Sequence, residues 1–184
     1  TLSGWGRLHR SRSRVVQVAS EMDVKAAVAP VRRGVLARGL GRAYGDAATL
    51  DEGTIIDATG LRHLGPVDIS GPTATVDAGG GVSLAAIVRD ASPLGWLPPV
   101  LPGTRHVTVG GAIAADVHGK NHHRDGGFGR TVQWFQLLTA DGTLHHVDRD
   151  TDRPLFEATL GGMGLTGVIT SARLELTPAP APFL

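Results

Sequence analysis

Glycine placement constrains this chain more than any other feature. Its 26 glycines fall in clusters between apolar runs and follow no collagen-like period. They therefore read as turns built for close backbone approach, not as disorder. The densest stretch, LPGTRHVTVGGAIAADVHGKNHH over 101–123, gathers Gly103, Gly110, Gly111, Ala112, Ala114, Ala115 and Gly119 around a Thr-Val-Gly-Gly turn. Residues with almost no side chain let the backbone come close to a large flat ligand or a phosphate. A polar cluster, His118-Gly119-Lys120-Asn121-His122-His123, follows at once and brings groups that move protons or hold anions. A plain core segment would carry Leu, Ile and Phe there, so the stretch reads as a cofactor face.

A second cluster, Arg38-Gly39-Leu40-Gly41-Arg42-Ala43-Tyr44-Gly45-Asp46, follows a short strand at Val35-Leu36-Ala37 and precedes another at Thr54–Asp57. A glycine loop after a strand is the usual setting for a nest of backbone N–H groups around phosphate oxygens. Gly39, Gly41 and Gly45 miss the G-x-G-x-x-G spacing, so no Rossmann-type helix is expected. The third cluster, Gly161, Gly162, Gly164 and Gly167, leads into a strand over Val168–Leu176. Its alternation sets Ile169, Ser171, Arg173 and Glu175 against Val168, Thr170, Ala172, Leu174 and Leu176.

Local signals fill in the frame. Residues 1–19 alternate polar and apolar without caps and are expected to wrap the surface. Ser20 and Asp23 spell a capping box for a helix with Val24, Ala27 and Val28 inside, limited by Pro30. Ala74–Ala78 is a strand; Ser83 caps a helix with Leu84, Ile87, Val88 and Ala91 on its apolar face. Val132–Ala140 and Leu144–Val147 flank Asp141-Gly142, a hairpin signal. Asp152 and Pro154 open a short helix, Leu155 to Leu160. Trp5, Trp96 and Trp134 read as core. The fold class is α+β, with mixed short-stranded sheets and flanking helices. Two lobes, 1 to about 62 and about 63 to 178, are expected to flank a cleft, with 179–184 as a proline-rich tail.

A net charge of +1 gives no electrostatic footprint for nucleic acid, and Arg7 to Arg14 read as a solvated patch. With no Cys, disulfides and thiolate sites are excluded. No apolar run spans a bilayer and no signal peptide is visible, leaving cytoplasm and cell envelope both open. The start at Thr1 reads as a trimmed chain or a fragment. His118, His122 and His123 with Asp116 and Asp125 invite zinc, but Gly119 opposes the helix that such spacing needs, so no metal is expected. His145 and His146 read as a surface pair.

With these clusters in order, the chain resembles a known family. Gly4-Trp5-Gly6-Arg7, ARGLGRAYGD (37–46), the 101–123 stretch, LLTADG (137–142) and GLTGVI (164–169) resemble the flavin-binding domain of the vanillyl-alcohol-oxidase/p-cresol-methylhydroxylase type. Within it they are similar to the decaprenylphosphoryl-ribose 2′-oxidases. The resemblance implies a two-lobed domain holding FAD. Ala37, Arg38, Gly39, Leu40, Gly41, Arg42, Ala43, Tyr44, Gly45, Asp46 and Ala47 are expected around its pyrophosphate. Gly103, Thr108, Val109, Gly110, Gly111, Ala115, Asp116, Val117 and His118 are expected near the flavin and ribityl chain, and the Ile169 backbone at the adenine end.

The implied activity is oxidation of a secondary hydroxyl on a lipid-linked phosphoryl pentose, in arabinan precursor synthesis, with a reductase partner completing an epimerisation. His118 and Lys120 are the catalytic candidates, although Lys120 also reads as an ordinary solvated lysine. The family's remaining active-site lysine and tyrosine residues lie on a second domain. Arg42 stands where related sugar oxidases carry a histidine joined to flavin, which implies non-covalent FAD. Ala43 replaces a common Ser. Arg38 and Arg42 both qualify for a charge-assisted phosphate bond, and Tyr44 is expected to pack near the cofactor. A flavin-binding module without turnover, and another sugar or alditol oxidase, remain the alternatives.

Overall fold

Short-range signals start most elements of the computed structural model, which describes residues 1–29 and 34–179. Ser20 Oγ accepts the Asp23 N–H at 3.2 Å, while Asp23 Oδ2 accepts the Ser20 N–H at 3.0 Å. This closed capping box begins helix α1 (Glu21–Val28). Val24, Ala27 and Val28 are its buried face, as the sequence indicates. Pro30, like Pro180 and Pro182, lies outside the described residues. The helix packs near a parallel three-stranded sheet of order β3 (Arg14–Gln17), β5 (Thr54–Asp57), β4 (Val35–Arg38). Ile55 and Ile56 on the central strand are fully buried. Ile56 joins Val18, Val24, Val28, Ala58 and Leu61 in one apolar cluster.

The first nineteen residues do not merely wrap the surface. Leu2–Ser3 (β1) pairs with Arg10–Ser11 (β2), and Arg14–Gln17 is the edge strand β3. An edge strand with solvent on most of its side chains has no buried face to mark it, so the alternation over residues 1–19 does not locate it.

The larger sheet is antiparallel, in the order β10 (Leu144–Asp148), β9 (Val132–Leu138), β11 (Val168–Pro178), β7 (Thr73–Gly79), β6 (Leu64–Ser70). A short strand β8 (Trp96–Leu97) adds to the far end of β11. Strand β6 gave no sequence signal because it contains Gly65 and Pro66. Proline is tolerated at a sheet edge, where its missing N–H breaks no ladder. The inner face places Val76, Ala78, Phe135, Leu137, Ala172 and Leu174 in the main core. Helices α2 (Leu84–Ala91), α3 (Val109–Ala114) and α4 (Arg153–Thr159) contribute Leu84, Ile87, Ile113 and Phe156 to the same core. Phe135 and Phe156 stack with ring centroids 5.2 Å apart. Leu138 and Val168, at the ends of β9 and β11, belong instead to the cluster around α1.

Two expectations change here. The strict alternation of β11 fails at Thr170, where a register shift lies between Ile169 and Ser171. Val168, Ile169 and Thr170 are all buried, because both faces of the sheet are covered there: Val168 packs in the cluster around α1 and the Thr170 hydroxyl donates to Glu21, while Ile169 lies in the main core. The tryptophans also part company. Only Trp96 is buried; Trp5 is 52% exposed. Trp134 lies on the outer sheet face, under the Arg173 guanidinium and beside His146. Arg173 there forms a two-pronged ion pair with Asp77, at 2.6 and 2.7 Å. No helix among the described residues is long and apolar enough to cross a membrane.

Candidate functional site

The loop after β4 is organised by its carbonyls. Ala43 O accepts the Trp5 N–H at 2.7 Å and Tyr44 O accepts the Gly6 N–H at 3.2 Å. Arg38 Nη1 donates to Ala48 O and Arg38 Nη2 to Ser3 O, at 2.7 and 2.8 Å. Asp46 O takes both the N–H and the hydroxyl of Thr49. Among the described residues no backbone N–H from Leu40 to Ala48 has a protein acceptor. Carbonyls committed to the protein with N–H groups left free make a concave donor surface, the arrangement that an anion needs. Gly45 adds room, since a Cβ there meets nothing within 4 Å. Gly41 has φ of +65°, and its missing Cβ makes way for the Arg38 guanidinium lying across it.

The two arginines have different tasks. Arg38 is built into the loop, and burial pulls its pKa down, partly offset by Asp57. Arg42 reaches outward: its Nε donates to His106 O at 3.1 Å and its guanidinium stacks on Trp5 at 4.3 Å. It therefore links the loop to the 101–123 stretch. Leu40, Tyr44, Asp46 and Ala47 are exposed along the loop rim, Tyr44 at 77%; Ala37 and Ala43 are half-buried.

The Thr-Val-Gly-Gly turn is the first turn of α3. Thr108 Oγ1 accepts the Gly111 N–H at 3.1 Å, an N-cap. Sequence reasoning missed the helix because its two glycines lower helix propensity by about 1 kcal/mol each. Val109 is fully buried with its N–H on Val82 O, and the Gly110 N–H goes to Gly80 O. Gly111 faces solvent, and Gly103 has open space around it. The first two glycine clusters touch: a Cβ on Gly39 would lie 2.2 Å from Thr108 Oγ1. Only glycine lets the loop close on the α3 cap.

Beyond α3, Ala115 is exposed and Asp116 adopts φ of +39°. The Asp116 carboxylate is used inside the protein, accepting the Gly129 N–H at 2.7 Å. Val117 bonds back to Ala112 and accepts from Phe128, and His118 bridges to Gly127. His118 and Lys120 are exposed; the His118 ring lies 5.1 Å from that of His122. Asn121, which the sequence did not single out, fixes this loop by donating to Pro99 O and to Asp125. Among the described residues no three His, Asp or Glu side chains converge on a metal-sized site.

Ile169 packs its side chain beneath Gly110 and its carbonyl beside Gly80. Near it lies a narrow cleft of about 50 Å³ lined by Val28, Val35, Ala37, Leu138–Ala140 and Gly164–Val168. It begins where the free-N–H loop begins.

A sequence profile described as an FAD binding domain matches residues 13–148. The chain belongs to the FAD binding domain family. It is 46% identical to the decaprenylphosphoryl-beta-D-ribose oxidase of Mycolicibacterium smegmatis, over 99% of this chain and 40% of that protein. It is 35% identical to cytokinin dehydrogenase 7 of Oryza sativa subsp. japonica, over 83% of this chain and 28% of the relative. Cytokinin dehydrogenase 2 of the same plant is 31% identical over 92% and 31% respectively. The chain thus spans well under half the length of these curated relatives. The residues present fit the cofactor of this FAD binding domain: a donor-lined loop, a glycine-faced turn and an adjoining cleft lie in one run.

Proposed function

We propose that this chain is the FAD-binding part of an oxidoreductase that converts a secondary hydroxyl of a polyprenyl-phosphoryl pentose into a ketone. The observation that carries the substrate class is the 46% identity, over nearly the whole chain, to a decaprenylphosphoryl-beta-D-ribose oxidase. The cytokinin dehydrogenases share the domain at lower identity, so the fold alone does not choose the substrate.

FAD, when bound, supplies the hydride acceptor. The Ile169 backbone, with Ala37 and Gly164–Val168 beside it, borders the adenine end. The free N–H groups from Leu40 to Ala47 hold the pyrophosphate. Gly103, Thr108–Gly111 and Ala115–His118 border the flavin. Val109 and Asp116 act there as frame, through the core and through Gly129. His118 and Lys120 stand exposed beside this surface, placed to hold the sugar hydroxyl or its phosphate. Arg42 has no imidazole to join to flavin, so FAD is held without a covalent bond.

The cleft lies between residues of the first lobe, Val28, Val35 and Ala37, and of the second, Leu138 to Ala140 and Gly164 to Val168. This supports a division near residues 62 and 63. Lysine and tyrosine groups over the flavin belong to a second domain. The keto product has a natural consumer in a reductase, and the pair would invert the alcohol centre.

The test is anaerobic mixing of the full-length protein with a polyprenyl-phosphoryl pentose. Bleaching of the flavin by this substrate and not by adenine-type cytokinins supports the reading. Bleaching by cytokinins alone overturns it. Flavin that no substrate reduces marks the protein as a cofactor-holding module without turnover.

A further inference from the structure

The family match begins at residue 13, yet the loop at the centre of the site is completed by residues before it. Gly4 to Arg7 form a tight turn, with the Arg7 N–H on Gly4 O at 3.1 Å and Arg7 itself at φ of +54°. This turn lies flat on the loop. A Cβ on Gly4 would sit 1.9 Å from Gly45 O, and one on Gly6 2.7 Å from Tyr44 O. The intervening N–H groups of Trp5 and Gly6 take the Ala43 and Tyr44 carbonyls. No peptide bond among the described residues is cis, and in a trans peptide N–H and C=O point in opposite directions. Fixing those two carbonyls therefore turns the Tyr44 and Gly45 N–H groups to the open side. The Trp5 ring, half exposed, then carries the Arg42 guanidinium at 4.3 Å, while Arg42 Nε holds His106 O. A stacked arginine with one nitrogen committed keeps its other two nitrogens in a fixed plane.

We infer that the Gly4–Arg7 turn is a working part of the cofactor site. Trp5 is a positioning residue that holds Arg42 for a phosphate of the bound dinucleotide, and the turn aims the loop donors. The inference rests on the FAD reading above. Nothing in the turn touches the cofactor surface directly; it acts through Arg42 and through the loop peptides.

The experiment is FAD titration of the deflavinated full-length protein by fluorescence quenching. The variants are Trp5→Leu, Trp5→Phe, Arg42→Ala and the double variant Trp5→Leu/Arg42→Ala. Loss of a partly exposed cation–π contact weakens Kd by about 3- to 5-fold in Trp5→Leu. Trp5→Phe, which keeps an aromatic face, stays within about 2-fold of the parent. Arg42→Ala loses a charge-assisted bond, about 10-fold. In that background Trp5→Leu has no further effect, since its task is already gone. Equal Kd for the parent and Trp5→Leu overturns the inference. So do additive losses in the double variant, or failure of Phe to rescue. If the parent takes up no FAD at all, the cofactor reading falls first and this inference falls with it.

Discussion

Gly39 is where a single atom matters most. Its missing Cβ is the space occupied by Thr108 Oγ1, so Gly39→Ala must push the loop off the α3 cap. Weakening of FAD binding by more than about 10-fold is expected, with circular dichroism unchanged, because the clash sits at the site and not in the core. Unaltered affinity would show that the contact is slack. Arg38 makes a second test. Arg38→Met keeps the aliphatic stem and removes the donors to Ser3 and Ala48, costing about 1–3 kcal/mol in chemical denaturation. The sequence could not separate Arg38 from Arg42, because both flank the same glycines. What separates them is tertiary: two carbonyls, one of them 35 residues away, against an aromatic face and His106. Trp5 was misread as core for the same reason. Composition marks it as apolar, but only its neighbours show that it serves as a platform for Arg42.

Elements with self-contained signals were legible. Helix α1 follows from its capping box, and the β9–β10 hairpin from Asp141-Gly142. In that hairpin Asp141 accepts from the Thr139 hydroxyl first, then from the Thr143 N–H and hydroxyl, which lowers its pKa to about 2. The ionised carboxylate is the form that these bonds favour. Their contribution is complete above the ordinary value of 3.8 and fades as pH falls toward the folded value. Thermal unfolding between pH 5 and pH 2 checks this: Asp141→Asn should flatten the acid side of the profile while leaving the rest in place. A profile unchanged by the substitution would remove Asp141 from the account. Elements whose cause lies elsewhere stayed hidden. Strand β6 holds despite Pro66 because it is an edge. The bulge at Thr170 comes from fitting β11 between β9 and β7. Helix α3 survives its glycines through the Thr108 cap, so Thr108→Val should lower stability by about 1 kcal/mol and loosen the turn that Gly111 presents.

At the scale of the whole molecule, two apolar clusters are joined through the ends of β9 and β11, and the cleft opens beside that seam. In space the third glycine cluster comes first, at the cleft, followed by the donor-lined loop, the capped turn and then the exposed His118 and Lys120. This order was readable as a family resemblance, whereas the cleft walls and the N-terminal brace were not, since both depend on segments far apart in sequence. The central claim is that this arrangement holds FAD without a covalent bond. Its most direct test is the visible spectrum of the purified protein, taken before and after acid precipitation. The account predicts a two-banded yellow spectrum whose colour passes entirely to the supernatant. Yellow colour retained in the pellet would contradict the Arg42 argument, and a colourless protein that also refuses added FAD would contradict the site itself.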